Sequence, residues 1–191
     1  MNPVRILLGM APWIVFSVIV HDTGPQVATV IAAVLSLGLA IWQRRLLEFT
    51  SLAVFVVLAV IAHGGAANAE WVAVWGRTTA AVVLAAVMLL SAATVPFTEA
   101  YAKESVPQQY WGSPRFRETN RRISALWGLV VLGMAVSHVV AALVNPDAAT
   151  AGLTSGHGNL LLNWVIPILL IAQGVKQTQR LAAHAPTADH R

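Results

Sequence analysis

Long apolar runs alternate with short polar connections along almost the whole chain. The runs cover residues 4–20, 26–42, 46–63, 71–95, 121–144 and 160–175. Each comes close to the ~20 residues that a helix needs to cross the ~30 Å hydrocarbon core of a bilayer. The pattern therefore predicts an all-α polytopic membrane protein with six transmembrane helices. These form a single domain over residues 1–176, and a polar, loosely held cytoplasmic tail follows over residues 177–191.

The first and sixth runs have features that set them apart. The first starts with Arg5 and has an apolar centre, as in a secretory signal peptide, but a His-Asp-Thr-Gly-Pro turn follows it instead of a small-residue cleavage site. We therefore interpret this run as a retained span. The sixth run is short and contains Asn163, Pro167 and Gln173, and whether it crosses the bilayer completely is left open.

The second and third runs carry features of packing and charge. Small residues recur every four positions in the second run, at Ala28, Ala32, Ser36 and Ala40. Such a stripe lets helices approach closely in lipid. Glu48 lies in the first turn of the third run, where the positive end of the helix favours it and where Arg44 or Arg45 is within reach as a partner.

The composition excludes a soluble domain. Hydrophobic residues make up 57% of the chain and charged residues 10%, whereas soluble proteins carry about 25% charged residues. The absence of cysteine excludes disulfides, thiolate metal sites and cysteine nucleophiles. The basic residues lie beside the spans, so membrane topology and anionic lipid headgroups explain the net charge of +4 better than a nucleic-acid partner does.

Residues 96–122 form the only long polar interruption. Phe97 and Tyr101 are four residues apart, as are Glu99 and Lys103, which predicts a short amphipathic cytoplasmic helix between helices 4 and 5. Ser113 and Pro114 are typical of a helix start, and nothing breaks the helix from there to residue 144. Aromatic rings and arginines around this start are candidate interfacial or lipid contacts: Tyr110, Trp111, Arg115, Arg117, Arg121 and Arg122.

The distribution of positive charge predicts the orientation. With six spans and both termini in the cytoplasm, eleven of the twelve lysines and arginines lie inside, and only Arg77 lies outside. The opposite threading would violate the positive-inside rule almost everywhere. The sequence therefore predicts a multi-pass protein of the cell inner membrane with both termini in the cytoplasm.

On this threading, six polar residues fall in the outer half of the membrane and form a candidate functional cluster: His21, Asp22, His63, Glu70, Arg77 and His138. The simplest interpretation is that polar residues collect at the ends of spans. A proton or ion pathway would use His138 and Arg77, and a metal or haem site would use two or more histidines. We expect Arg77 to face protein or water, with Glu70 and Asp22 as the nearest partners by depth.

Four stretches between about residues 5 and 143 form a recognisable pattern: residues 10–16 (MAPWIVF) with 28–30, residues 75–79 (WGRTT) with 90–91, residues 103–107 (KESVP), and residues 116–127 with Gly133. In these stretches the chain resembles the intracellular septation protein A family of small multi-pass bacterial inner-membrane proteins. His138 stands where the family tends to have an amide. The resemblance implies a role in division or in maintenance of the cell envelope, and it brings no established catalytic residues.

The sequence predicts no catalytic residue, cofactor or metal site, because it contains no Walker, G-x-G-x-x-G, H-E-x-x-H or G-x-S-x-G motif. The function it favours is a non-enzymatic membrane protein of the cell envelope. Its candidate partners are membrane lipids, envelope or division proteins, and further copies of itself. The alternative is a small transporter or an ion or proton channel that uses the outer cluster, and an enzyme acting on lipid at the outer face is a third hypothesis.

Overall fold

The computed structural model describes residues 3–144 and 160–183, and every regular element in these two ranges is helical. The long helices are α2 (Ala11–Thr23), α3 (Pro25–Gln43), α4 (Leu46–His63), α5 (Ala66–Ala93), α7 (Pro114–Val144) and α8 (Ile166–Ala183). The short elements are α1 (Pro3–Gly9), α6 (Glu99–Ala102), a 3-10 turn (Gln108–Tyr110) and a π-helical turn (Leu161–Val165). The predicted loop up to residue 158 and residues 184–191 of the predicted tail lie outside the described residues.

Four of these helices, α3, α4, α5 and α7, are long and apolar enough to cross a membrane. The all-α class is therefore confirmed for the described part of the chain, and four of the six predicted spans correspond to helices of suitable length. Large apolar side chains are exposed around the bundle: Val34 is 63% exposed, Val60 70% and Leu129 59%. A surface of this kind suits lipid better than water.

The first and sixth runs differ from the continuous helices that the pattern predicts. Residues 4–20 form two helices that meet at Met10, because Pro12 has no N–H to donate to the carbonyl one turn earlier. In the sixth run, Pro167 likewise leaves the carbonyl of Asn163 without its usual partner, and a π-helical turn precedes α8. The helix then continues to Ala183, so the first part of the predicted tail is helical instead of loosely held.

The helices pack as an antiparallel bundle in which α5 makes its largest interface with α7. Helix α4 packs on α3 and α5, α2 packs on α3 and α5, and α8 packs on α7. Gly128 permits the close crossing of α5 and α7, since a Cβ there would lie 2.7 Å from the Cδ2 atom of Leu89. The small-residue stripe of α3 is buried as predicted: Ala28, Ala32, Ser36 and Ala40.

The bundle has two chemically different ends. We call the end with the α3–α4 and α5–α7 connections (residues 44–45 and 94–113) the basic end, and the end with the α2–α3 and α4–α5 connections (residue 24 and residues 64–65) the histidine end. At the basic end, Ser113 accepts a hydrogen bond from the Phe116 N–H at 3.2 Å. This confirms the predicted cap at the start of α7.

The polar segment packs against the bundle more closely than the sequence suggests. The predicted amphipathic helix is only one turn long, with Glu99 and Lys103 paired at 4.0 Å. Its apolar edge is buried in protein, because Phe97 is 4% and Tyr101 3% exposed. The candidate interfacial residues lie around this segment, with the rings half-buried and the arginines exposed: Tyr110, Trp111, Arg115, Arg117, Arg121 and Arg122.

Candidate functional site

Arg77 is buried in the bundle toward the histidine end. It lies on α5 roughly 16 Å from the start of the helix, and only 6% of its surface is exposed. Its Nη2 atom contacts the Nε2 atom of His21 on α2. Because a guanidinium nitrogen only donates, Nε2 of His21 accepts, and His21 is held as a neutral imidazole. The prediction that Arg77 faces protein is confirmed.

His138 lies on α7 about 9 Å before the end of that helix and is 7% exposed. Its Nδ1 atom lies 2.9 Å from Oδ1 of Asn163, which is 6% exposed. An amide oxygen only accepts, so Nδ1 carries the proton and donates it. The next residue back, Ser137, donates from Oγ to the carbonyl of Leu162 at 2.5 Å. Two adjacent side chains of α7 therefore fix the π-helical turn in place.

A cavity of about 280 Å³ reaches Arg77 of the first polar pair and both residues of the second. Arg77, His138 and Asn163 line it near the histidine end, together with Ser17 of α2. The rest of the wall is apolar, built from α2, α5, α7 and α8, and includes Met10, Trp13, Leu84, Val131 and Ile171. From Arg77 to Leu84 the wall runs about 10 Å along α5. The cavity therefore has a polar region and a deep apolar region.

The apolar surface of the bundle continues into this cavity between α2 and α8. Ile14 of α2 and Ile168 of α8 line the cavity and are also 42% and 59% exposed. These two helices make few direct contacts with each other, whereas each packs on a neighbour across the cavity, α2 on α5 and α8 on α7. The α2–α8 gap therefore faces the surroundings of the bundle at the depth of its apolar belt.

The structure brings together three of the six residues of the predicted cluster, namely His21, Arg77 and His138. The other three, Asp22, His63 and Glu70, are exposed. His63 is hydrogen bonded through Nδ1 to the Ala59 carbonyl of its own helix at 2.8 Å. Among the described residues, neither Glu70 nor Asp22 forms an ion pair with Arg77, so their role as its partners stays a prediction.

Two site features escaped the sequence analysis. Asn163 was noted only as a polar residue in a weak span, yet it is the hydrogen-bond partner of His138. The second is Glu48, which is completely buried in the basic end. It does not form the predicted ion pair with Arg44 or Arg45, and instead accepts a hydrogen bond from Tyr101. For Asn163, a polar residue within an apolar run was the only available signal, whereas Glu48 was noted in the first turn of its helix without its burial being foreseen.

Through the guanidinium of Arg77, the cavity can donate hydrogen bonds to an acceptor group of a ligand. Within residues 3–144 and 160–183, no group of three His, Asp or Glu side chains could hold a metal ion. The site instead offers a guanidinium, whose planar fork fits a carboxylate or phosphate, and an imidazole beside a long apolar wall.

The chain matches no protein-family model, no curated protein and no solved structure. The resemblance to the intracellular septation protein A family therefore stays a prediction.

Proposed function

We propose that this protein is a non-enzymatic integral membrane protein of the cell envelope that binds a single-chain amphiphile with an acidic head group. The observation that carries the proposal is the cavity, which places Arg77, His138 and Asn163 at one end of an otherwise apolar wall. A carboxylate or phosphate would meet the guanidinium, and the hydrocarbon chain would follow α5 toward the basic end.

The charge of Arg77 supports an acidic head group. Arg77 contacts His21 and also lines the cavity. A guanidinium can form two parallel hydrogen bonds with a carboxylate or phosphate, so an anionic group in the cavity would be favoured next to Arg77. Hydrogen bonds to charged groups contribute about 1.5–3 kcal/mol each, so a carboxylate should bind much more tightly than an alcohol of the same length.

The shape of the cavity supports a lipid-like body. Its volume of about 280 Å³ lies near the lower limit of small-molecule sites, which suits the head and upper chain of an amphiphile better than a whole two-chain lipid. The α2–α8 gap, flanked by the exposed Ile14 and Ile168, leads directly from the apolar belt. A membrane-dissolved ligand therefore has a route that does not cross water.

Photolabelling of the purified protein in lipid nanodiscs tests this function. The probes are a long-chain carboxylate and the matched alcohol, each with a diazirine within the chain. We expect the carboxylate to label cavity-lining residues such as Met10 and Ile171 roughly 10-fold more than the alcohol does, in line with one charge-assisted hydrogen bond. Exposed residues such as Val34, on α3, should be labelled equally by both. Equal labelling by the two probes at both places would overturn the proposal.

A second candidate is a small transporter or a proton pathway, and one contact favours it. Trp13 lines the apolar end of the cavity and donates from Nε1 to Oγ of Ser51 at 2.6 Å. Ser51 lies one helical turn from the buried Glu48. Polar groups thus extend from the cavity toward the basic end, as a transport path requires. Release of the labelled carboxylate from loaded liposomes that contain the protein would favour transport over binding alone.

The location and threading belong to the same proposal. The excess of arginine and lysine at the basic end supports a cytoplasmic basic end in a bacterial inner membrane, with six crossings and both termini inside. Because the chain has no cysteine, single cysteines report on this directly. Gln109→Cys, at the basic end, should react with an impermeant thiol reagent only in opened cells, and Ala67→Cys, at the histidine end, in intact cells. The reverse pattern would mean that the threading is wrong.

A further inference from the structure

We propose that Glu48, in the basic end of the bundle, is a proton-binding site that exchanges its proton with the aqueous phase next to the polar segment. This site is separate from the amphiphile cavity and does not depend on it.

The two oxygens of Glu48 have different surroundings. The residue is 0% exposed, and Oε1 accepts a hydrogen bond from the Tyr101 hydroxyl at 3.1 Å. The other oxygen, Oε2, is buried and has no hydrogen-bond partner among residues 3–144 and 160–183. An ionised carboxylate with a bare buried oxygen is costly, because it has lost its water and gained nothing in return. A proton on Oε2 removes the charge from that position.

The nearest cation does not neutralise Glu48. Arg45 lies over the Tyr101 ring at 4.2 Å and forms its ion pair with Glu104. It therefore contributes a favourable field at Glu48 but no direct ion pair. Burial, and then the neighbouring Glu48, raise the pKa of Tyr101 above its ordinary value, so the phenol remains protonated and keeps its role as donor to Oε1.

Opposing influences on Glu48 make it suitable for proton exchange. Its own backbone N–H, the Tyr101 hydroxyl and Arg45 favour the carboxylate, as does its position in the first turn of α4, where the helix end is positive. Complete burial and the bare Oε2 atom favour the acid. Gly9, at the α1–α2 junction, also lies next to the carboxyl, since a Cβ at this position would be 3.1 Å from Oε1. It carries no side chain and therefore adds no charge. Among the described residues, Tyr101 and Arg45 are the titratable or charged groups that act on Glu48.

The path to water is short. Glu104, the partner of Arg45, has a side chain that is 31% exposed, whereas that of Arg45 is 11% exposed. Movement of this one ion pair would uncover Tyr101 and Glu48 from the side of the polar segment. The Arg45–Glu104 pair is therefore placed as a gate between water and the buried carboxyl.

A lipid-soluble carbodiimide, dicyclohexylcarbodiimide, tests this inference in nanodiscs. The reagent adds across the O–H of a protonated carboxyl and rearranges to a stable N-acylurea, with no leaving group and no co-reactant. We expect mass spectrometry to find the adduct on Glu48, and the yield to fall about 10-fold per pH unit once the pH exceeds the midpoint of the titration. The exposed Glu118, whose side chain is 49% exposed, is the control carboxyl in the same sample and should give little adduct. Absence of adduct on Glu48 at every pH, or equal labelling of Glu118, would overturn the proposal.

Infrared titration of the wild-type protein gives a second measurement, and its result does not depend on whether any variant folds. A buried protonated carboxyl shows a carbonyl stretch that disappears as the pH rises. We expect this band in the wild-type protein and its loss in Glu48→Gln. Glu104→Gln, which frees Arg45, should shift the midpoint of the titration to lower pH, because the released guanidinium then favours the Glu48 carboxylate. A wild-type protein without a titrating band would contradict the inference even if Glu48→Gln failed to fold.

Discussion

Replacing Trp127 by alanine should lower the free energy of unfolding by about 3 kcal/mol or more, one of the two largest effects we expect. Trp127, on α7, is 0% exposed and is the largest completely buried side chain among the described residues. Its Nε1 atom donates to Oγ1 of Thr178 at 3.0 Å, and its ring contacts the Gly174 position of α8. In lipid, helices associate through such packing and hydrogen bonds. The cavity that the substitution leaves would therefore weaken the packing of α8 on α7. Thermal unfolding in detergent, followed by loss of the monodisperse peak, measures the effect.

The matched control is Trp42→Ala. Trp42 is 75% exposed at the end of α3, so its removal leaves no cavity and should change the stability by less than about 0.5 kcal/mol. Trp127→Phe should fall between the two variants, because it keeps most of the volume and loses the hydrogen bond to Thr178. Equal loss of stability in Trp127→Ala and Trp42→Ala would mean that α8 does not depend on this contact.

The sequence predicted helix ends well where charged, capping or helix-breaking residues mark them. The third run and α4 have the same bounds, Leu46–His63, because the paired arginines before it are costly in hydrocarbon and the paired glycines after it end the helix, with Gly65 at a φ of 128°. The Ser113–Pro114 start of α7 was predicted from its capping residue and its proline. Prolines inside apolar runs were less informative. A hydropathy pattern counts apolar residues, whereas the breaks near Pro12 and Pro167 depend on which backbone carbonyls lose their donors.

The candidate site was predicted only in part, because depth along a helix is visible in the sequence but contact between helices is not. Arg77 was correctly expected to face protein. Glu70, seven residues earlier, has the same helical phase, yet it is exposed near the start of α5, before the bundle closes around that face. The actual contact comes from His21 on α2. The pairing of His138 with Asn163 depends on the π-helical turn, which no hydropathy pattern encodes.

Replacing Arg77 by glutamine should raise the dissociation constant for a long-chain carboxylate by roughly 10- to 100-fold, the loss expected for one or two hydrogen bonds to a charged group. Glutamine keeps hydrogen-bond donors in the cavity but removes the positive charge. Binding of the matched alcohol should change little, because it gains least from that charge. A displacement titration with a fluorescent carboxylate in nanodiscs measures both constants.

Two further variants separate the charge of Arg77 from its shape and from the net charge of the protein. Arg77→Lys keeps the cation but loses the planar fork, so its affinity should lie between those of the wild type and Arg77→Gln. Arg117→Gln removes one charge from an exposed position on α7 and should bind like the wild type. Since Arg77 is buried beside His21, each variant is first compared with the wild type by thermal unfolding. If a folded Arg77→Gln protein bound the carboxylate as tightly as the wild type, the cavity would not be the acidic head-group site, because Arg77 is its only cationic side chain among the described lining residues.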